Sequence, residues 1–67
     1  MLTNRVKELR ARFNWTQEEL GKKVGVTRQT ISFIEKGDYT PSVTLALKIS
    51  KVFSTKMDEV FSLGGED

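Results

Sequence analysis

The chain of 67 residues carries 11 Lys and Arg against 9 Asp and Glu, a formal charge of +2, and it contains neither Cys nor His. A chain of this length forms one domain, residues 1–67, and the missing Cys and His exclude disulfides, the commonest transition-metal ligands and the commonest general base. The longest apolar run, Leu45-Ala46-Leu47, is too short for a membrane span, so composition favours a small cytoplasmic binding module without metal or cofactor over an enzyme.

The first predicted helix covers residues 3–13. Val6, Leu9 and Phe13 recur at i, i+3 and i+7 in a segment without Gly or Pro, which is the pattern of an amphipathic helix. Asn14 is expected to end this helix.

A second helix is predicted over 17–24 by signals at both of its ends. Thr16 and Glu19 have the capping-box spacing, in which the hydroxyl accepts from a helix amide and the carboxylate reaches back to the cap. Gly25 can adopt the left-handed backbone conformation that ends a helix.

The same signals repeat for a third helix, which Thr27 caps and Gly37 ends. Two short helices joined by a tight turn that contains Gly25 indicate a helix-turn-helix unit at about 17–36. Gly21 lies inside the second helix, where Gly costs about 1 kcal/mol relative to Ala, so we attribute it to close packing where the helices cross.

Ser42 is predicted to cap a fourth helix that extends to about residue 54. A short fifth helix is predicted over 56–62. Residues 62–67 are expected to form a C-terminal tail or a subunit contact, with 64–67 frayed, and no segment favours a strand. The predicted fold class is therefore all-α, a compact five-helix bundle.

The fourth helix is apolar on two sides, which predicts burial on two sides. One stripe is Val43, Ala46, Leu47, Ser50 and Phe53. The second stripe, which either the fifth helix or another subunit could cover, is Leu45, Ile49 and Val52. Four more apolar side chains follow near the chain end, namely Met57, Val60, Phe61 and Leu63. They complete the core of one chain or join the second stripe in a homodimer contact, and we expect the homodimer contact.

The third helix uses Ile31 and Ile34 for its core face and leaves a different set exposed. This set is Arg28, Gln29, Thr30, Ser32 and Phe33. Arg can bond a guanine edge through two hydrogen bonds, Gln an adenine edge, and Thr or Phe can contact a thymine methyl. Gln17 and Thr27 stand at the two helix starts, where free backbone amides suit phosphates.

Five segments together carry a family resemblance: TQEEL at 16–20, GVTRQTI at 25–31, IEKG at 34–37, YTPS at 39–42 and DEVF at 58–61. With them the chain resembles the phage-repressor/Cro-like (Xre-type) helix-turn-helix family in its short stand-alone form, over about residues 4–62. The resemblance implies a five-helix bundle whose third helix enters the major groove of double-stranded DNA.

The resemblance also implies roles for individual residues. Gln17 would contact a phosphate, and Thr30 would lie near the backbone or a base. The base-reading positions would be Arg28, Gln29, Ser32 and Phe33. The residues beside the second phosphate strand would be Lys36, Tyr39 and Thr40. Arg10 and Glu35 would form a structural ion pair between the first helix and the end of the third.

Two residues depart from the family pattern. Phe33 stands where a polar base-reading residue is frequent, so it either contacts a thymine methyl or packs. Gly21 replaces the more usual Ala, which bears on stability more than on function.

The leading functional prediction is a sequence-specific transcriptional regulator, a repressor, that binds a near-palindromic operator as a homodimer. The alternative is an antitoxin-like or adaptor module that binds another protein through the same scaffold. No membrane and no small-molecule ligand is evident. An enzyme is disfavoured because Glu18 and Glu19 project about 100° apart on a helix. Residues 1–56 carry a net +6 and residues 57–67 a net −4, which suits a basic body that faces phosphate.

Overall fold

The computed structural model describes residues 2–64 and contains the five predicted helices, α1 to α5, framed by two short strands, β1 and β2. In chain order the elements are β1 Leu2–Asn4, α1 Val6–Arg12, α2 Gln17–Val24, α3 Arg28–Lys36, α4 Val43–Val52, α5 Met57–Val60 and β2 Phe61–Leu63. The five-helix prediction and the helix-turn-helix at 17–36 are confirmed. Residues 64–67 are expected to fray. Of these, only Gly64 lies within the described residues.

The prediction that the chain has no strand is wrong. β1 and β2 form an antiparallel ribbon in the register Leu2↔Leu63, Thr3↔Ser62 and Asn4↔Phe61. The first helix consequently begins at residue 6 instead of 3, the fifth ends at 60 instead of 62, and residues 62 and 63 belong to a strand instead of a tail. Three residues are too few for strand alternation to be visible in a sequence, because the strand exists only through its partner at the other end of the chain.

Side-chain caps mark the starts of α2, α3 and α4, and glycines mark the ends of α2 and α3. The Thr16 hydroxyl accepts from the Glu19 N–H at 3.0 Å, while the Glu19 carboxylate accepts from the Thr16 N–H at 2.7 Å, which completes the predicted capping box. Thr27 and Ser42 also accept from helix amides. Gly25, like Gly37, has a φ of +82°, the left-handed conformation expected at a helix end.

The capping box makes stability depend on pH. The backbone N–H of Thr16, and then its hydroxyl, hold the pKa of Glu19 below its usual value. Because the folded-state pKa is lower than the unfolded one, this bond stabilises the fold above the usual carboxyl range, and the stabilisation is lost as the pH falls through the lowered pKa. We expect Glu19→Gln to flatten the acid limb of unfolding free energy against pH, measured by urea titration. Glu18→Gln, in the same helical turn but outside the box, should retain the wild-type slope, and equal flattening by both would contradict this account.

A single core lies between the helices. Its buried apolar side chains are Val6, Leu9, Leu20, Val24, Ile31, Ile34, Leu45, Ala46, Ile49, Phe53, Val60 and Phe61. Leu2, Trp15, Val26 and Val52 are partly buried against it. Trp15 stacks on Phe53 with 5.6 Å between ring centroids, so this partly buried ring lies against the edge of the core.

This burial corrects part of the predicted subunit contact. Leu45, Ile49, Val60 and Phe61 are core residues of one chain, because the second side of α4 is covered within the chain. The first stripe of α4 is only partly buried, against the prediction. Ala46, Ser50 and Phe53 are buried, whereas Val43 and Leu47 are 70% and 52% exposed. Met57 and Leu63 remain exposed as expected.

Candidate functional site

The turn between α2 and α3 is held by close contact with Gly21. The Gly21 carbonyl accepts from the N–H groups of both Gly25, at 2.8 Å, and Val26, at 2.9 Å. A Cβ on Gly21 would lie 2.6 Å from the Val26 carbonyl oxygen, closer than any ordinary contact. The absence of a side chain therefore lets the turn lie against α2, and this packing sets the start of α3 relative to α2.

α3 separates a buried face from an accessible one. Ile31 and Ile34 are almost wholly inaccessible. Arg28 and Gln29 are exposed in the first turn, and Phe33 is 41% exposed. Phe33 is thus not a fully buried core residue, and part of its ring is accessible to a partner.

The first turn of α3 has its own hydrogen bonds. The Thr27 hydroxyl accepts from the Thr30 N–H at 3.3 Å and lies 3.1 Å from the Thr30 hydroxyl. Thr27 is exposed, and Thr30 and Ser32 are half-buried. Capping and an outward contact are compatible at Thr27 because a hydroxyl has one donor and two acceptor sites.

A largely buried ion pair joins α1 to the last turn of α3. Arg10 Nε donates to Glu35 Oε2 at 2.8 Å and Arg10 Nη2 to Oε1 at 3.3 Å. The Arg10 side chain is 18% exposed and that of Glu35 5%. A third Arg10 donor, Nη1, reaches the Trp15 carbonyl at 3.0 Å. The guanidinium is therefore satisfied on three sides and fixes α3 against α1.

Gln17 belongs to the same network, which the sequence did not indicate. Its Nε2 donates to Glu35 Oε1 at 3.0 Å. An amide nitrogen carries two N–H donors, so one is engaged with Glu35 and the other can serve a partner. The bond orients the Gln17 side chain at the first position of α2, where a phosphate contact is expected.

A polar groove of about 350 Å³ runs past this network, and it brings in a residue that the sequence reasoning missed. Its lining residues are Lys7, Arg10, Gln17, Ser32, Glu35 and Lys36. Lys7 and Lys36 are exposed and come from α1 and α3 respectively. No linear motif could have indicated Lys7, because its place beside Gln17 depends on how α1 packs.

The loop after α3 continues the accessible surface. The Gly37 N–H donates to the Ile34 carbonyl at 3.0 Å and the Asp38 N–H to the Phe33 carbonyl at 2.9 Å, which closes the end of the helix. Tyr39 is 46% exposed and Thr40 is exposed. The Tyr39 side chain is therefore accessible to a partner.

A second surface, apolar in character, lies between α4 and the ribbon. It forms a groove of about 310 Å³ lined by Leu2, Pro41, Val43, Ala46, Met57, Asp58, Phe61, Ser62 and Leu63. Val43 and Leu63 are each about 70% exposed here. Large apolar side chains gathered in one exposed area mark an interaction surface.

Residues 2–64 lack the features of two other classes of site. This part of the chain contains no cluster of three or more carboxylate, His or Cys side chains that could hold a metal ion. None of its helices has the length and apolar character needed to cross a bilayer.

Several known proteins are similar to this chain in sequence or in structure. The helix-turn-helix family matches residues 6–60 of this chain. The chain is 64% identical over 66 residues to the HTH-type transcriptional regulator YgzD of Bacillus subtilis, covering 98% of this chain and 100% of YgzD. It is 38% identical over 56 residues to the antitoxin HipB of Escherichia coli O6:H1, covering 84% of this chain and 60% of HipB. Its structure is similar to that of the P22 c2 repressor protein in complex with a synthetic operator, with a TM-score of 0.78, 31% identity and coverage of 81% and 82% of the two chains.

Proposed function

The chain belongs to the helix-turn-helix family of DNA-binding transcriptional regulators, and from that premise we propose that it is a sequence-specific repressor that binds a near-palindromic operator as a homodimer. The observation that carries the proposal is the accessible face of α3, where Arg28, Gln29 and Phe33 stand free of the core. In this proposal the protein acts in the cytoplasm and is not an enzyme.

In the proposed complex α3 lies in the major groove. Arg28 and Gln29 in its first turn read base edges through paired hydrogen bonds, and Phe33 contacts a thymine methyl. Ser32 is a further base-reading position. The phosphates on either side of the groove are contacted by Gln17, Thr27, Lys36, Tyr39 and Thr40, and Thr30 lies near the backbone or a base. Lys7 joins this set because it lines the same groove as Gln17 and Lys36.

The apolar groove supports the homodimer. Met57 and Leu63, exposed members of the predicted contact, lie in it with Val43, and Val52, half-buried on α4, is the remaining candidate. A two-fold dimer through this face would present two copies of α3 to successive major-groove turns, about 34 Å apart.

Selection of bound duplexes from a random pool, followed by a footprint, tests the proposal. We expect a near-palindrome with half-sites one helical turn apart. Affinity should fall steeply with salt, with a log–log slope of roughly −0.9 for each phosphate neutralised. A pool that yields no enriched duplex would overturn the proposal.

The base-reading role of Arg28 gives a sharper prediction. Arg28→Ala should cost about 1–3 kcal/mol of operator binding and relax the preference at one base pair in each half-site. Binding to a panel of single-base operator variants measures this. Lys36→Ala is the matched control, since loss of a phosphate contact should weaken all variants alike and reduce the salt slope by about one. Uniform weakening by Arg28→Ala would contradict the base-reading role.

One observation favours the alternative of an antitoxin-like or adaptor module, namely the similarity to HipB over most of this chain. In that case the apolar groove would receive a different protein. A chain that is monomeric by sedimentation, binds no duplex and forms a salt-insensitive complex with another protein would favour this alternative.

A further inference from the structure

The side chain of Asn4 bridges the end of β1 and the last turn of α3. Its Oδ1 accepts from the Val6 N–H at 3.1 Å, at the start of α1. Its Nδ2 donates to the Ile34 carbonyl at 2.9 Å. Because only the oxygen of the amide can accept from the Val6 N–H, the nitrogen must face α3, so the orientation of the amide is fixed by its own bonds.

The bond from Asn4 to the Ile34 carbonyl holds the backbone of the last turn of α3, whereas the other contacts of this helix hold its start and one of its sides. The packing of the turn on Gly21 sets the start of the helix, and the pair of Arg10 with Glu35 ties one of its sides to α1. Asn4 instead reaches a backbone carbonyl in the last turn. The loop that carries Tyr39 begins just beyond this turn, so the tie lies beside the proposed second phosphate contact.

The other side of Asn4 is the ribbon itself. Asn4 pairs with Phe61, and the next residue, Arg5, donates its backbone N–H to the Val60 carbonyl at 2.9 Å. Leu2 and Leu63, at the far end of the same pairing, line the apolar groove. The two strands thus carry the proposed subunit contact at one end and the tie to α3 at the other.

We infer that Asn4 is a positioning residue that couples the subunit contact to DNA reading. A second subunit that covers the groove restricts opening of the ribbon, and the ribbon restricts Asn4. Asn4 then holds the last turn of α3 in the position in which it binds DNA. Because this turn is already ordered, less conformational entropy is lost on binding. This inference rests on the proposed function and adds a link between its two surfaces.

Asn4→Asp isolates the bond to α3. The carboxylate keeps an oxygen for the Val6 N–H but places a second oxygen, and a negative charge, against the Ile34 carbonyl at a helix C-terminus, where negative charge is unfavourable. Thr3→Ala is the matched control in the same strand, because it removes the contacts of the Thr3 hydroxyl with Ser62 at 3.2 and 3.0 Å and leaves Asn4 in place.

Binding is measured on a single half-site duplex, taken from the operator selected by the wild-type chain, at a temperature where circular dichroism shows every variant fully folded. We expect Asn4→Asp to lower half-site affinity about tenfold. This is the size of effect expected when a neutral hydrogen bond is lost and a charged group takes its place. Thr3→Ala should change it less than twofold. A residue that only stabilised the fold would shift the melting temperature and leave the affinity of the folded protein unchanged.

A double-mutant cycle with Leu63→Glu, which disrupts the apolar groove, tests the coupling. On a half-site, where two-site avidity is absent, Leu63→Glu alone should lower affinity about threefold, and it should add nothing in the Asn4→Asp background. Full half-site affinity in Asn4→Asp, or losses that simply multiply, would overturn the inference while leaving the proposed function intact. A wild-type chain that binds no duplex would overturn both.

Discussion

Replacement of Glu35 by Ala is expected to lower the free energy of unfolding by about 3–5 kcal/mol, because it leaves the Arg10 guanidinium buried without its counter-charge. The Glu35 carboxylate accepts two bonds from Arg10 and one from Gln17, and its side chain is only 5% exposed. A domain of this length has a total stability of roughly 3–10 kcal/mol, so the variant should lose a large fraction of its stability. Urea titration followed by Trp15 fluorescence measures the change.

Glu8→Ala is the matched control for this experiment. Glu8 also pairs with two cations, Arg5 and Arg12, each at 2.9 Å, but its side chain is 49% exposed. Exposed pairs contribute about 0–1 kcal/mol, so this variant should remain folded. A similarly small decrease in the free energy of unfolding in both variants would show that burial of the Arg10–Glu35 pair does not contribute to stability.

Leu63→Glu is expected to weaken binding to the complete operator by about 100-fold or more, since two linked half-sites gain 10²–10⁴ in avidity that a monomer loses. Leu63 is 72% exposed in the apolar groove, so a charge there opposes burial against a second subunit without entering the core. Sedimentation equilibrium and operator titration measure the two consequences. Binding to a half-site should fall only a few-fold.

Thr44→Glu serves as the control for that variant. It places the same charge on an exposed residue of α4 that does not line the apolar groove. It should leave the homodimer and most operator affinity in place. If Leu63→Glu remained dimeric, the subunit contact would have to be sought on another surface.

The features that could be predicted from the sequence depend on residues close together in it. The capping box of Thr16 and Glu19, the cap at Ser42 and the turn at Gly25 each involve neighbours within a few positions. The pair of Arg10 with Glu35 spans 25 residues, and its prediction came from the family resemblance rather than from any local pattern.

The features that could not be predicted depend on how whole elements pack. The sequence pattern shows that α4 has two apolar sides but not which side the rest of the chain covers. It therefore predicts a subunit contact for Ile49, which is fully buried within one chain. The ribbon, the role of Asn4 and the place of Lys7 beside Gln17 likewise require α1 to be docked first. Hydrophobic periodicity indicates that a side chain is buried, but it does not indicate which element or subunit covers it.

The ribbon also has a consequence for the order of folding. Its bond between Thr3 and Ser62 joins positions 59 residues apart, whereas α2 and α3 meet across a three-residue turn. Closing so long a loop costs chain entropy that is recovered only after the helices have packed. The strands are therefore expected to pair last as the chain folds and to separate first when it opens locally. Early in folding, the helix-turn-helix can take shape before the two ends of the domain have met.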